Sequence, residues 1–176
     1  MLRIMLDTID EGSSLLDLEI VPEDLVLEFD GVYFTSDVSV NLKFYRQTAK
    51  IYVKAVMSVD AEMECSRCLA KVPIKIKAGA EVQYSPLPKF VEDQIDDIGI
   101  GYYTDEYIDI TDELRESILL EIPMIILCSE DCKGLCSQCG QNLNIKKCDC
   151  PEFEDLGESK LAVLTKLLDI KGKLEV

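Results

Sequence analysis

Six of the 23 residues from Cys128 to Cys150 are cysteine, and burial alone does not explain that density. The run comprises Cys128, Cys132, Cys136, Cys139, Cys148 and Cys150, set among polar residues. A loop of ~25 residues with few apolar side chains cannot order itself by removing surface from water, and a thiolate-bound metal supplies the missing free energy. Cys136-x-x-Cys139-Gly140 has the form of a zinc knuckle. Two thiolates on one tight turn converge on a metal, and the glycine lets the backbone fold back so that amides point at sulfur. A second pair must complete the tetrahedron, and four of the six cysteines are expected to ligate. The preferred set is Cys132, Cys136 and Cys139 with Cys148 or Cys150. A two-metal cluster with shared thiolates is the alternative, and reduced, unligated thiols are the bland one. The expected metal is zinc in a structural role.

Cys65-Ser66-Arg67-Cys68 follows a strand and lacks the glycine of a knuckle. Three readings stay open. The pair joins Cys136 and Cys139 to build a ribbon across the fold; it is a redox pair, with the positive charge of Arg67 lowering a thiol pKa; or it is a tight turn with two small buried residues.

Thirty-four acidic against 18 basic residues give a formal net charge of −16. Phosphate neutralisation by Lys and Arg dominates nucleic-acid affinity, so the chain as a whole repels nucleic acid and favours basic partners or plain solubility. Contacts to RNA must therefore come from a restricted basic face, and Arg67, Lys71, Lys75 and Lys77 are its candidates. The opening residues lack the apolar core of a signal peptide, and the longest apolar run, Ile122–Cys128, is too short to span a membrane. A cytoplasmic location is expected, where eight cysteines read as metal ligands or redox centres before disulfides. There is no histidine, which removes the commonest general base, and no glycine-rich phosphate loop. A non-enzyme without a small-molecule substrate is expected.

The first half alternates with period two. Val38, Val40, Leu42 and Phe44 predict one strand, Ile51–Val59 a second, and Val72, Ile74 and Ile76 a third whose other face carries Lys71, Lys75 and Lys77. Short connections make these an antiparallel meander. Leu2–Leu6 and Leu16–Ile20 add shorter strands. Residues 86–110 read as an acidic loop interrupted by an extended piece, Tyr107–Ile110. Thr111 is expected to cap a helix over 111–121, with a stripe of Leu114, Ile118, Leu119 and Ile122. Leucines between Ser159 and Ile170 predict a terminal helix. The expected class is α+β: residues 1–121 form a β-rich core with one helix, and 122–176 form a cysteine-rich module with the terminal helix, together one structural unit.

The segment Met63-Glu64-Cys65-Ser66-Arg67-Cys68-Leu69, then Leu119–Pro123, Cys132-Lys133-Gly134-Leu135-Cys136, Cys139-Gly140, Asn142-Leu143-Asn144 and Leu161–Leu164 resemble, in that order, the YceD proteins. Where such a sequence opens its last helix with an acidic residue, proline and arginine, this chain has Gly157-Glu158-Ser159-Lys160. The resemblance implies a role in accumulation of large-subunit ribosomal RNA, hence in biogenesis of the large ribosomal subunit. It also implies genes that often lie next to that of a small basic ribosomal protein, a fitting partner for so acidic a chain. The expected activity is noncatalytic binding of ribosomal RNA or a basic ribosomal protein. The competing class is a thiol-redox or iron-thiolate electron-transfer protein.

Overall fold

A computed structural model describes residues 1–86, 99–103 and 106–150. Its elements are β1 (Arg3–Met5), β2 (Gly12–Ile20), β3 (Val32–Phe34), β4 (Val38–Gln47), β5 (Lys50–Glu64), β6 (Lys71–Pro86), β7 (Ile100–Tyr103), β8 (Tyr107–Asp109) and α1 (Thr111–Leu120). The chain divides into two compact units, Met1–Gly134 and Leu135–Val176.

The first unit is organised by a six-stranded sheet. Along it run β2, β4, β5, β6 and β7, with β3 on the far part of β5. The three alternating segments do form an antiparallel meander, β4-β5-β6, and β2 extends it antiparallel on β4. One neighbour differs from the expectation: β7 lies parallel to β6, making the sheet mixed. This strand sits inside the stretch read as an acidic loop, and its glycines hid it. Gly101 is there because a Cβ at that position would lie 2.3 Å from the ring of Tyr84. β1 and β8 pair in a separate two-stranded ribbon.

Alternation decides which face is inside. Val38, Val40, Leu42 and Phe44 of β4 and Ile51, Val53, Ala55, Met57 and Val59 of β5 are buried, while the residues between them point outward. Leu114 and Ile118 of α1, with Ile108, Ile110 and Leu25, close over this inner face as one cluster. Each large side chain so buried contributes ~1.5–3 kcal/mol. Thr111 was expected as the N-cap, but it is the first helical residue, and Ile110 at the cap position makes no side-chain bond. The capping oxygen belongs to Asp109, whose Oδ1 accepts the Thr111 backbone N–H at 3.1 Å. The Thr111 hydroxyl is used elsewhere: it accepts the N–H of Leu2 at 2.6 Å and so ties the N-terminus to the helix. The helix stops at Leu120, before Pro123. Among the described residues no helix is long and apolar enough to cross a membrane. The helix expected between Ser159 and Ile170 falls outside the described residues.

Candidate metal centres

The first group is made where a long hairpin meets the chain that follows α1. β5 and β6 pair from Ile51↔Tyr84 out to Glu64↔Lys71, and Cys65–Ala70 is the connection at their tip. The N–H of Cys65 donates to the carbonyl of Ala70 at 2.8 Å, and the N–H of Leu69 donates to the carbonyl of Cys65 at 3.0 Å. Leu69 takes the left-handed conformation, φ 58°, which normally favours glycine. The missing glycine therefore does not prevent the knuckle; an exposed leucine accepts the strained position instead.

Against this tip lies the segment from Ile126 to Gly134. Ser66 N–H donates to the carbonyl of Ile126 at 2.8 Å, and Ile126 N–H returns a bond to the Ser66 hydroxyl at 3.2 Å. The guanidinium of Arg67 donates to the carbonyl of Cys132 at 3.0 Å. Gly134, with φ 74°, lets the chain pass close to Arg67, whose carbonyl oxygen would be 3.1 Å from an added Cβ. These bonds place Cys128 and Cys132 over Cys65 and Cys68. The Cys65 and Cys132 sulfurs stand 3.7 Å apart, and those of Cys68 and Cys128 3.5 Å. Cys65, Cys68 and Cys132 are buried and Cys128 is exposed.

The second group, in the second unit, is Cys136, Cys139, Cys148 and Cys150. Its knuckle repeats the first bond for bond. Cys136 N–H donates to the carbonyl of Gln141 and Gly140 N–H to that of Cys136, both at 2.9 Å. Gly140 occupies the left-handed position, φ 72°, that Leu69 fills in the first knuckle. Asn142 then turns the chain: its Oδ1 accepts the N–H of Asn144 at 2.9 Å, and its carbonyl accepts those of Ile145 and Lys146. That turn returns the chain so that Cys148 and Cys150 face the knuckle.

The donor geometry fits a metal. Within each group all four sulfurs lie within 4.8 Å of one another, and a tetrahedron of ~2.3 Å zinc–sulfur bonds has edges of ~3.8 Å. The six cysteines of the C-terminal run are thus divided. Cys132 goes with Cys65, Cys68 and Cys128, not with Cys136 and Cys139, and no thiol is common to the two groups. Cys65 and Cys68 do find a distant pair, as one reading held, but it is Cys128 and Cys132.

Electrostatics prepares one thiolate in each group. Burial opposes ionising Cys65, but the amides of Arg67, Cys128 and Cys68 outweigh it and bring the thiol down to about 6. The amides of Cys139 and Gln138 bring Cys136 down to about 6. Arg67 lowers the Cys65 thiol through its amide and not through the positive charge expected of it, while its guanidinium holds the carbonyl of Cys132. Hydrogen bonding with Cys132 and Cys68 pushes Cys128 up to about 12, and with Cys139 pushes Cys150 up to about 12. For Cys148, the amide of Cys150 lowers the pKa, but the thiol of Cys136 and burial leave it raised. A bound cation replaces the protons held by the raised thiols.

The remaining candidates lie on the outer face of the sheet. Lys71 pairs with Glu62 at 3.3 Å and stands over the ring of Tyr33, and Lys75 pairs with Asp60 at 3.1 Å. Lys77 points outward opposite Ser58.

The model of the large ribosomal RNA subunit accumulation protein YceD matches residues 53–168, which include both cysteine groups. The chain belongs to the YceD family. Among relatives, the chloroplastic YCED homolog 1 of Arabidopsis thaliana, named a large ribosomal RNA subunit accumulation protein, is 42% identical over 38% of this chain and 21% of its own. The uncharacterized protein YlbN of Bacillus subtilis is 36% identical over 64% of this chain and 63% of its own. An uncharacterized protein of Mycobacterium tuberculosis is 24% identical over 68% of this chain and 58% of its own. The YceD chain thus spans about a fifth of the plant relative and little more than half of the mycobacterial one. No solved structure matches it.

Proposed function

We propose that this YceD protein is a noncatalytic factor in biogenesis of the large ribosomal subunit, sustaining its ribosomal RNA by binding that RNA or a basic ribosomal protein. Family membership over residues 53–168 carries the ribosomal part of the reading. Two sets of four convergent thiols carry the noncatalytic part, since a metal closed by four thiolates keeps no open position for substrate. Zinc is the metal we assign to both. Cys65, Cys68, Cys128 and Cys132 would hold one ion, and Cys136, Cys139, Cys148 and Cys150 the other. The first would fasten the β5–β6 tip to the chain after α1; the second would order residues whose side chains bury little.

The net charge of −16 supports a cationic partner. Contact with RNA through Arg67, Lys71, Lys75 and Lys77 would have to open the ion pairs of Lys71 and Lys75 and share Arg67 with Cys132. The test is depletion of the protein in its source cell. A fall in the ratio of large- to small-subunit ribosomal RNA supports the reading, and an unchanged ratio removes it. One observation favours a second reading: a four-sulfur donor set also suits iron. Visible absorbance of the purified protein would then point to electron transfer.

A further inference from the structure

The outer face of the sheet, near the β4–β5 turn, pairs like with like. Tyr45 stands opposite Tyr52, and in the next outward row Lys43 stands opposite Lys54. The two rings lie 6.4 Å apart, tilted by 45°, and are 51% and 41% exposed. Two ammonium groups directly across a strand pair repel and cost stability. Lys54 is compensated by Glu81 at 2.5 Å, an ion pair that holds Glu81 below the usual carboxylate range through its hydrogen bond. Lys43 has no ion-pair partner among the described residues, and Lys50 adds a third exposed lysine at the start of β5. In a chain of net charge −16, this end of the sheet is locally positive and aromatic at once. Tyr45, Tyr52, Lys43, Lys54 and the carboxylate of Glu81 border a shallow depression of about 410 Å³ that runs across β4, β5 and β6 to Gly99. Tyr102 of β7, 45% exposed, adds a ring opposite Ser85, outside the Tyr45–Tyr52 row.

We infer that this face is a stacking platform for single-stranded RNA, with Tyr45 and Tyr52 receiving bases and Lys43, Lys50 and Lys54 receiving phosphates. Charge complementarity selects the occupant. A basic protein would meet Lys43 and Lys50 without a carboxylate partner, whereas a nucleotide strand meets a π-face for each base and an ammonium for its phosphate. The inference rests on the ribosomal reading and names the surface through which it acts. It differs from the Lys71–Lys75 region in Lys43 and Lys50, which have no ion-pair partner among the described residues; Lys54 would exchange Glu81 for a phosphate.

The test uses the full, metal-loaded chain and a fluorescein-labelled 12-nucleotide single-stranded RNA, read by anisotropy across a salt series. Tyr45→Ala with Tyr52→Ala should weaken binding by roughly tenfold or more, because each stacked base contributes substantially. Tyr45→Phe with Tyr52→Phe should restore it. Lys43→Ala should flatten the dependence on salt by close to one phosphate contact. Both tyrosines are outward-facing, so circular dichroism should show the variants folded. Absence of binding at low salt overturns the platform, as does binding unchanged by the tyrosine pair or equal affinity for duplex RNA. Capture of a basic ribosomal protein that the tyrosine pair abolishes, with no RNA bound, assigns the face to protein and also overturns it. If RNA binding fails while depletion still lowers large-subunit RNA, only the platform falls. If depletion changes nothing, the ribosomal reading falls with it.

Discussion

Leu69 and Gly140 hold the same place in two knuckles, and they differ in what that place costs. Both follow the second cysteine, both have left-handed φ, and both donate to the carbonyl of the first cysteine. A side chain at such φ costs ~1–2 kcal/mol that glycine does not. Leu69→Gly, which gives up an exposed side chain, should therefore raise stability by about 1 kcal/mol in denaturant unfolding. Gly140→Leu should weaken metal retention in the second group. Ligand residues allow a sharper prediction. Cys65→Ser with Cys68→Ser should remove one of two metal ions per chain, and Cys139→Ser should remove the other, each read as metal-to-protein ratio by elemental analysis. The glycine of Cys136-x-x-Cys139-Gly140 made the second knuckle legible from sequence. Leucine in its place disguised the first, although the tip hydrogen bonds are the same.

At the scale of elements, the meander was legible because β4, β5 and β6 each bury one face and expose the other. β7 was not, since its place against β6 depends on Gly101 meeting the ring of Tyr84 across sequence distance. Gly101→Val should push against that ring and cost ~1–3 kcal/mol, seen as a lowered thermal midpoint and lost protection of β7 amides. The division of cysteines escaped for a related reason. Cys128 and Cys132 find their partners 60 and 67 residues away, and spacing within the C-terminal run carries no sign of that. What did carry it was arithmetic: eight thiols form two Cys-x-x-Cys knuckles and two further pairs, enough for two tetrahedra. Proton release should report the sets. With Cys65 and Cys136 brought down to about 6, and Cys128 and Cys150 up to about 12, Cys65 and Cys136 are largely ionised at pH 8 and largely protonated at pH 5. Adding zinc in weak buffer should then release more protons per ion at pH 5 than at pH 8. The affinity should fall steadily as pH falls, because the metal competes with protons for every sulfur.

For the whole molecule, the two metal centres answer different needs. The first unit has an apolar core spread over sheet and helix, and it should survive loss of metal except at the hairpin tip and residues 126–134. The described part of the second unit has no buried apolar side chain, so its order rests on its thiolates. Chelation followed by hydrogen exchange should therefore leave β4, β5 and β6 protected while residues 135–150 exchange freely. Uniform loss of protection would mean that metal holds the sheet as well. The central claim is that eight cysteines make two centres, one of them joining Cys65 and Cys68 to Cys128 and Cys132. Elemental analysis of anaerobically purified wild-type protein and of Cys65→Ser with Cys68→Ser, with a visible spectrum on each sample, tests it directly. Two colourless zinc ions per wild-type chain and one in the variant is the predicted result. One ion in the wild type, or two retained by the variant, would contradict it.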